Sequence, residues 1–402
     1  MGDADKPILQ TISRISEIDP AQWNVCANPP AQAYNPFVDH AFLLALEESG
    51  SAVADTGWQP SHLILPAQQG QIAAATPLYL KAHSQGEYIF DHGWADAWHR
   101  AGGQYYPKLL SAVPFTPASG PRMLIRPDAP AAMKAAREIL IDGLKTLTGK
   151  TGVSSLHINF LPEEDWQLLA GHEFLQRTDQ QFHWLNRDYK SFDGFLGDLT
   201  SRKRKNLKKE RARALENGIE VEWLTGDALT EAHWDIFYDF YLDTSNRKWG
   251  QAYLTRRFFS MINETMADST LLVMARRDGR YIAGALNFIG GDTLFGRNWG
   301  CLEDHPYLHF ELCYYQAIDF AISRGLSRVE AGAQGTHKLA RGYEPVRTHS
   351  AHYIPHEGFR AAIEDYLEQE RRHVENDMST LAGYTPFKKA NDNDKDNEGE
   401  DK

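Results

Sequence analysis

A segment that recurs along a chain constrains the fold strongly, because each copy must satisfy the same packing problem. The stretch "SHLILPAQQGQIAAATPLYL" from Ser61 aligns with "STLLVMARRDGRYIAGALNF" from Ser269. Ser61 meets Ser269, Leu63 meets Leu271 and Ala67 meets Ala275. After one-residue gaps, Gly70 meets Gly279, and the segment from Ile72 to Ala75 meets that from Ile282 to Ala285. Downstream, "YIFDHGW" (Tyr88 to Trp94) lies opposite "TLFGRNW" (Thr293 to Trp299), and Tyr105-Tyr106 opposite Tyr314-Tyr315. The offset stays between about 205 and 210 residues. The β-branched and aromatic runs, bounded by Gly, Asp and Asn, predict strand, tight turn, strand, turn, strand and helix in each copy. In the second copy the helix runs from Leu308 to Arg324, with Gly325 as its stop, and a strand follows from Ser327 to Ala331. In the first, a helix from Ala131 to Leu147 is entered through Pro130, and a strand follows from Ser154 to Phe160. The expectation is a mixed α/β fold in tandem, its central sheets flanked by helices, with one copy over 8–190 and the other over 191–388.

A chain of 402 residues with 42% apolar residues has room for two such domains. The opening "MGDADKPILQ" carries acids and no apolar segment, so no secretory signal is expected. No apolar run approaches the roughly 20 residues that span a bilayer. Cys26, Cys301 and Cys313 are few and widely spaced, without a CxxC or Cys/His zinc pattern. Free thiols in a reducing compartment, and a cytoplasmic chain, are expected.

The net charge of −12 is unevenly spread. The last stretch, "NDNDKDNEGEDK" from Asn391, holds six acids, two lysines and no apolar residue, so a disordered acidic tail is expected over 389–402. Against that background, "SRKRKNLKKERAR" (Ser201 to Arg213) has eight basic residues and one acid. A helix is predicted from Ser201 to Asn217, capped by Thr200 or Ser201 and stopped by Gly218. Arg202, Lys205, Lys209 and Arg213 share one face of it, while Leu207, Ala214 and Leu215 mark another. The alternating "IEVEWL" that follows predicts a strand. The basic face is either solvated or phosphate-contacting. Unrelieved repulsion among its cations favours an anionic partner, with Arg202, Lys203, Lys205 and Lys209 as the contacts.

These pieces resemble a family. The segments "VPFTPASGPRML" (from Val113), "SRKRKNLKKER", "KWGQAYLTRRFF" (from Lys248), "FGRNWGCLEDHPYLHFELCYYQ" (from Phe295) and "EAGAQGTHKLARGYEP" (from Glu330) look like the FemAB-like, peptidoglycan biosynthesis/recognition branch of predicted N-acyltransferases in the GNAT superfamily. The resemblance spans about Pro36 to Lys389. It implies a tandem GNAT-like acyltransferase fold and transfer of an acyl or aminoacyl group to an amine. The acceptor would be a small molecule or peptide resembling a peptidoglycan precursor. The donor would be acyl-CoA or aminoacyl-tRNA, which makes tRNA a candidate partner, with no tightly bound cofactor. The chain departs from acetyl-CoA binders at "GCLEDHPYLHFE", where Glu303 and Asp304 replace a Gly-rich phosphate loop and oppose an anion. "HRAGGQYY" in the first copy is either such a loop or an ordinary turn.

Acyl transfer needs proximity, a base for the amine proton and donors for the oxyanion. Glu330, His337 and Lys338 are the catalytic candidates. Glu330 sits at a strand end where burial raises a carboxyl, His337 titrates near neutrality, and Lys338 with Arg341 suits a phosphate or carboxylate. Arg297, Trp299, His309, Glu311, Tyr315, Gln334 and Arg341 are candidates for substrate contact. In the first copy Asp91, His92, Trp94 and Arg122, with Tyr105 and Lys108, hold the matching place. Structural roles stay open: Glu330 as an ion-pair partner of Arg297 or Arg341, Trp299 in the core, and His337, Lys338 and Arg341 as polar loop residues. His309 and Glu311 form an H-x-E without the P-C-x-x-C partner of zinc deaminases, so no metal site is expected. A rival expectation is a non-catalytic module that recognises a cell-wall precursor or RNA.

Overall fold

The computed structural model describes residues 8–249, 252–332 and 335–388. Gln334 and the acidic tail over 389–402 lie outside the described residues. The chain is mixed α/β, as expected, and divides into two compact units. The first comprises Met1–Asp179, Ala252–Ala267 and Arg347–Val374, and the second Gln180–Gln251, Asp268–Val346 and Glu375–Lys402. Neither is one uninterrupted length of chain. Division at 190/191 therefore describes repeated sequence, while packing follows different boundaries.

In the first unit, strands lie in the order Glu344–Tyr353 (from Arg347 on), Leu156–Asn159, Lys108–Ser111, Tyr79–Lys81 and Trp58–Pro60. Leu109 pairs in register with Leu156, and Ile158 with Ala351, which places these apolar side chains on one face. Helix Pro130–Thr151 covers that face with Ala136, Leu140, Ile141 and Leu144. Pro130 starts this helix and Gly152, in the left-handed region at φ 65°, ends it. The hairpin His62–Pro66/Ile72–Thr76 joins a separate four-stranded sheet with Gln10–Ile12 and Leu124–Ile125.

Two matches in the repeat fail here. "YIFDHGW" does not form a third strand: irregular chain leads into helix His92–Arg100. Asp91 is drawn inward by a buried lysine, and Trp94 and Trp98, one turn apart, need a helix to share a face toward Phe359 and its neighbours. Tyr105-Tyr106 is likewise not helical but lies in extended chain before Lys108, where Tyr105 and Tyr106 flank the incoming strand; "HRAGGQYY" forms the helix end and turn.

In the second unit the strands run Glu220–Leu224, Thr270–Arg277, Arg280–Ile289, Thr293–Cys301, Arg328–Glu330 and then Leu175–Leu185 (from Gln180 on). The first four are antiparallel. Asp278 and Gly279, at φ 51° and 76°, form the tight hairpin turn predicted from "RDGR". The predicted helix from Leu308 to Arg324 is present but widens into a π-type turn over Glu311–Tyr315. The basic helix spans Ser201–Ala214, shorter than expected, because Asn217 and Gly218 adopt left-handed conformations at φ 64° and 72°. Thr200 occupies its cap position without a side-chain cap bond.

Candidate active site

Strands Thr293–Cys301 and Arg328–Glu330 are parallel neighbours for three residue pairs only, ending with Phe295 opposite Glu330. Beyond that pair the longer strand continues to Cys301, while the other chain leaves the sheet at Ala331 and Gly332. The two backbones part at Gly296, where an added Cβ would lie 3.4 Å from the Glu330 carbonyl oxygen. The longer strand also bulges: Ala285 pairs with Trp299 but Asn287 with Gly296, leaving two residues opposite one. The bulge falls at Arg297 and Asn298, so the alternation that would put Arg297 and Trp299, two apart on the strand, on one face is interrupted.

Lys338 fixes the departing chain. Its buried Nζ donates to the carbonyls of Ala331 and Gly332 and lies 5.9 Å from the Phe182 ring. Burial pushes its pKa down to about 8. Glu330 is buried, with Arg328 Nε at 3.8 Å and His183 Nε2 at 3.9 Å from its carboxylate. Burial, helped by Arg328 and Lys338, pushes His183 down to about 3, so the ring is neutral near pH 7 and makes no ion pair with Glu330. Of the two charge partners foreseen for Glu330, Arg341 pairs instead with Glu210 at 2.8 Å, while Arg328 approaches the Glu330 carboxylate.

Around the parted strands is a ring of aromatics. Trp299 and His309 approach edge to face at 5.2 Å, and His309 lies 5.5 Å from both Phe310 and Tyr314. His337 is exposed, its Nε2 3.0 Å from the Tyr314 hydroxyl and its ring 5.5 Å from Phe310. Burial in part, then Arg341 and Lys338, lower its pKa below the usual histidine value. The Arg341 guanidinium covers Phe310 at 3.4 Å and donates to the His337 carbonyl at 2.8 Å. The structure thus brings Trp299, His309, His337 and Arg341 together, with Lys338 and Glu330 at the strand end.

Tyr315 and Glu311 go elsewhere. Both serve the docking of the basic helix: the Tyr315 hydroxyl donates to Glu210, the only acid in Ser201–Arg213, and buried Glu311 receives Arg211 at 2.8 Å and Gln316 at 2.8 Å. Arg211 also meets Asp319 at 2.8 Å and covers the Phe192 ring at 4.3 Å. Arg202, Lys205 and Lys209 are exposed, and Lys203 is half-buried. Glu303 does not start the helix; it is tied to Arg277 at 3.0 Å and His305 at 2.9 Å in the preceding loop. The sequence reading missed His183, Tyr314 and Phe310. Tyr314 stands three residues from Glu311 on the same helix, which was an available signal; Phe310 has no such spacing to a suspected position, and His183, on a distant strand, gave none.

In the first unit Asp91 and Trp94 are buried, with Asp91 joined to Lys108 and Tyr105. His92 is exposed and stacked on Phe90 at 6.2 Å. Arg122 is not with them: its guanidinium donates to the carbonyls of Ala118, Gly120 and Pro121. Among the described residues, no helix is long and apolar enough to cross a membrane.

Comparison with known proteins gives a family model, FemAB-like, described as peptidoglycan biosynthesis/recognition, that matches residues 14–389. No curated protein sequence matches the chain. Among solved structures, FemX is similar at 13% identity and a TM-score of 0.52, over 89% of this chain and 100% of that one. L-PGS from Bacillus licheniformis is similar at 9% identity and 0.49, over 84% and 98%. A tandem GNAT protein from the clavulanic acid biosynthesis pathway is similar at 11% and 0.45, over 87% and 98%.

Proposed function

Because the chain belongs to the FemAB-like family of peptidoglycan biosynthesis and recognition proteins, we propose that it is an N-acyltransferase, moving an acyl or aminoacyl group from an activated donor to an amine. The observation that carries this reading is the parting of two parallel strands after Phe295 and Glu330, with exposed His337 beside the opening. An acyl group lying there would meet an amine in a site built for proximity, which can supply roughly 7 to 11 kcal/mol of the barrier in good cases. The amine nitrogen attacks the acyl carbon, His337 accepts the amine proton, and as the ester or thioester bond breaks that proton passes to the leaving oxygen or sulfur, releasing the donor's alcohol or thiol and restoring neutral His337. Tyr314, hydrogen-bonded to His337, orients the ring. Lys338 holds the strand end in shape through two backbone carbonyls. Glu330 is too deeply placed to be the first base, so it acts through its surroundings, and Trp299, His309 and Arg341 contact substrate.

For the donor, we favour aminoacyl-tRNA over acyl-CoA, and a peptide or peptidoglycan-precursor amine as acceptor. Arg202, Lys205 and Lys209 form an exposed row roughly 10 Å long, at about 1.5 Å per helical residue, suited to successive phosphates of a polynucleotide.

The test supplies charged tRNA or acetyl-CoA with amine acceptors to the wild-type chain and to His337→Ala. Transfer from one donor is expected, with His337→Ala slower by about 10²- to 10⁴-fold. No transfer from either donor, or an unimpaired His337→Ala, overturns the assignment. The burial of Glu330 favours a second reading, in which the chain binds a precursor or RNA without turnover. Thermal stabilisation by tRNA with no product would select it.

A further inference from the structure

The first unit has a sheet face that ordinary packing does not explain. Lys81 lies opposite Lys108, Leu110 opposite His157, and His157 opposite His352. Side chains two apart on a strand share a face. Lys81, Lys108, His157, Asn159, Ser350 and His352 therefore line one side together with Tyr79 and Leu110, and the apolar Leu109, Leu156, Ile158 and Ala351 line the other. All six polar residues are buried. Two lysines set directly opposite each other repel, and the repulsion is strongest away from water.

Trp94 covers the His157 and His352 end of this floor, and irregular chain from Ser84 to Asp91 covers the Lys81 and Lys108 end and supplies the counter-charge. The single Lys108 ammonium binds the strap at three points: Ser84 Oγ at 2.9 Å, Glu87 at 2.7 Å, and Asp91. Among the described residues Lys81 has no carboxylate within ion-pair distance; its ammonium lies 3.6 Å over the Trp58 ring and donates to the Gln85 carbonyl at 3.3 Å. The arrangement is incompletely satisfied. Glu87 Oε1 and Asp91 Oδ1 are buried without hydrogen-bond partners, as are both amide atoms of Asn159 and the Tyr79 hydroxyl. A half-satisfied buried network is costly. The strap itself is strained: Tyr88, a bulky residue, sits in the left-handed region at φ 61°.

We propose that the face bearing Lys81 and Lys108 is an anion-binding site of the first unit, occupied in this state by the chain's own Glu87 and Asp91. The ligand is a small molecule with two negatively charged oxygen groups, a phosphate or a dicarboxylate. On binding, it takes the place of the two strap carboxylates, and the strap lifts so that Glu87 and Asp91 reach water. Lys81 then gains the anionic partner it lacks. The inference concerns binding alone and stands whether or not the second unit transfers acyl groups.

Inorganic phosphate and malonate are the probes, each titrated into the full chain by calorimetry. At pH 8, above the Glu87 pKa of about 7, Glu87→Gln keeps the shape of the strap but removes half of its competing charge. It is expected to bind one of the two probes at least about tenfold more tightly than wild type, and Glu87→Gln/Lys81→Met is expected to lose that gain. Lys108→Met is avoided, because it would leave Glu87 and Asp91 buried without a counter-charge. Hydrogen exchange on the wild-type chain provides a readout independent of any variant: a saturating probe should speed exchange of the amides from 84 to 91. Phosphate alone being active assigns a phosphate site, and malonate alone a dicarboxylate site. Unchanged strap exchange with both probes, or a Glu87→Gln affinity no better than wild type, overturns the proposal and leaves the network a structural latch.

Discussion

At the scale of single residues, burial decides which groups can do chemistry near neutral pH. His337 is the clearest case. Partial burial, Arg341 and Lys338 lower its pKa below the ordinary 6.5, so its neutral, proton-accepting form persists into more acid solution. The acid limb of kcat/KM should accordingly fall below pH 6.5, and a limb above that value would remove His337 as the base. Glu87 is the opposite case. Burial raises it from 4.5 to about 7, against the pull of Lys108. Between those values the native state holds a proton that the unfolded state has lost, so this contribution to stability is full below pH 4.5 and is lost as pH rises toward 7. The difference in Tm between wild type and Glu87→Gln should shift against wild type across that window. The comparison separates Glu87 from His157, which burial lowers to about 3 and which therefore gives the opposite slope. Sequence showed that Glu330, His337 and Lys338 were polar residues at a strand end. It could not show that Glu330 is sealed in and His337 open, because the strands and helices that cover them come from distant parts of the chain.

At the scale of elements, the basic helix divides its charges between two tasks that composition cannot tell apart. Arg211 enters the fold, bound by Glu311 and Asp319, while Arg202, Lys205 and Lys209 stay in solvent. Arg211→Met should destabilise the chain by about 3–5 kcal/mol, because it leaves Glu311 buried and uncompensated. Replacing Arg202, Lys205 and Lys209 with Ala should change stability by less than about 0.5 kcal/mol per site. If tRNA is the donor, the same triple variant should weaken its binding and flatten the salt dependence by roughly 0.7 per lost phosphate contact. Denaturant titration and binding at several salt concentrations check the two halves. Gly300 shows the same dependence on a neighbour: a Cβ there would meet the Phe240 carbonyl oxygen at 2.2 Å. Gly300→Ala should cost at least about 1–3 kcal/mol, since backbone rather than a flexible side chain must yield. The glycine was visible in sequence as a strand residue, but not the helix Glu231–Trp249 that presses on it.

At the scale of the molecule, the units are built from interleaved chain. Ser350–Tyr353 pairs with Leu156–Asn159, and Phe258 meets Phe42 at 5.7 Å. A fragment covering 1–190 lacks both partners and should not fold alone, which circular dichroism and hydrogen exchange can test; a folded fragment would mean those segments are dispensable. Local pattern was enough for the sequence to determine the mixed α/β class, the family, the hairpin at Asp278-Gly279 and the helices Pro130–Thr151 and Ser201–Ala214, for each depends on residues a few positions apart. Only the tertiary structure decided that "YIFDHGW" would abandon its matching strand for the pull of Lys108, that Glu311 would serve Arg211, and that Arg341 would turn to Glu210. Those outcomes depend on charges from 17 to 131 residues apart meeting where water is excluded, and a linear pattern carries no information about which partner will arrive.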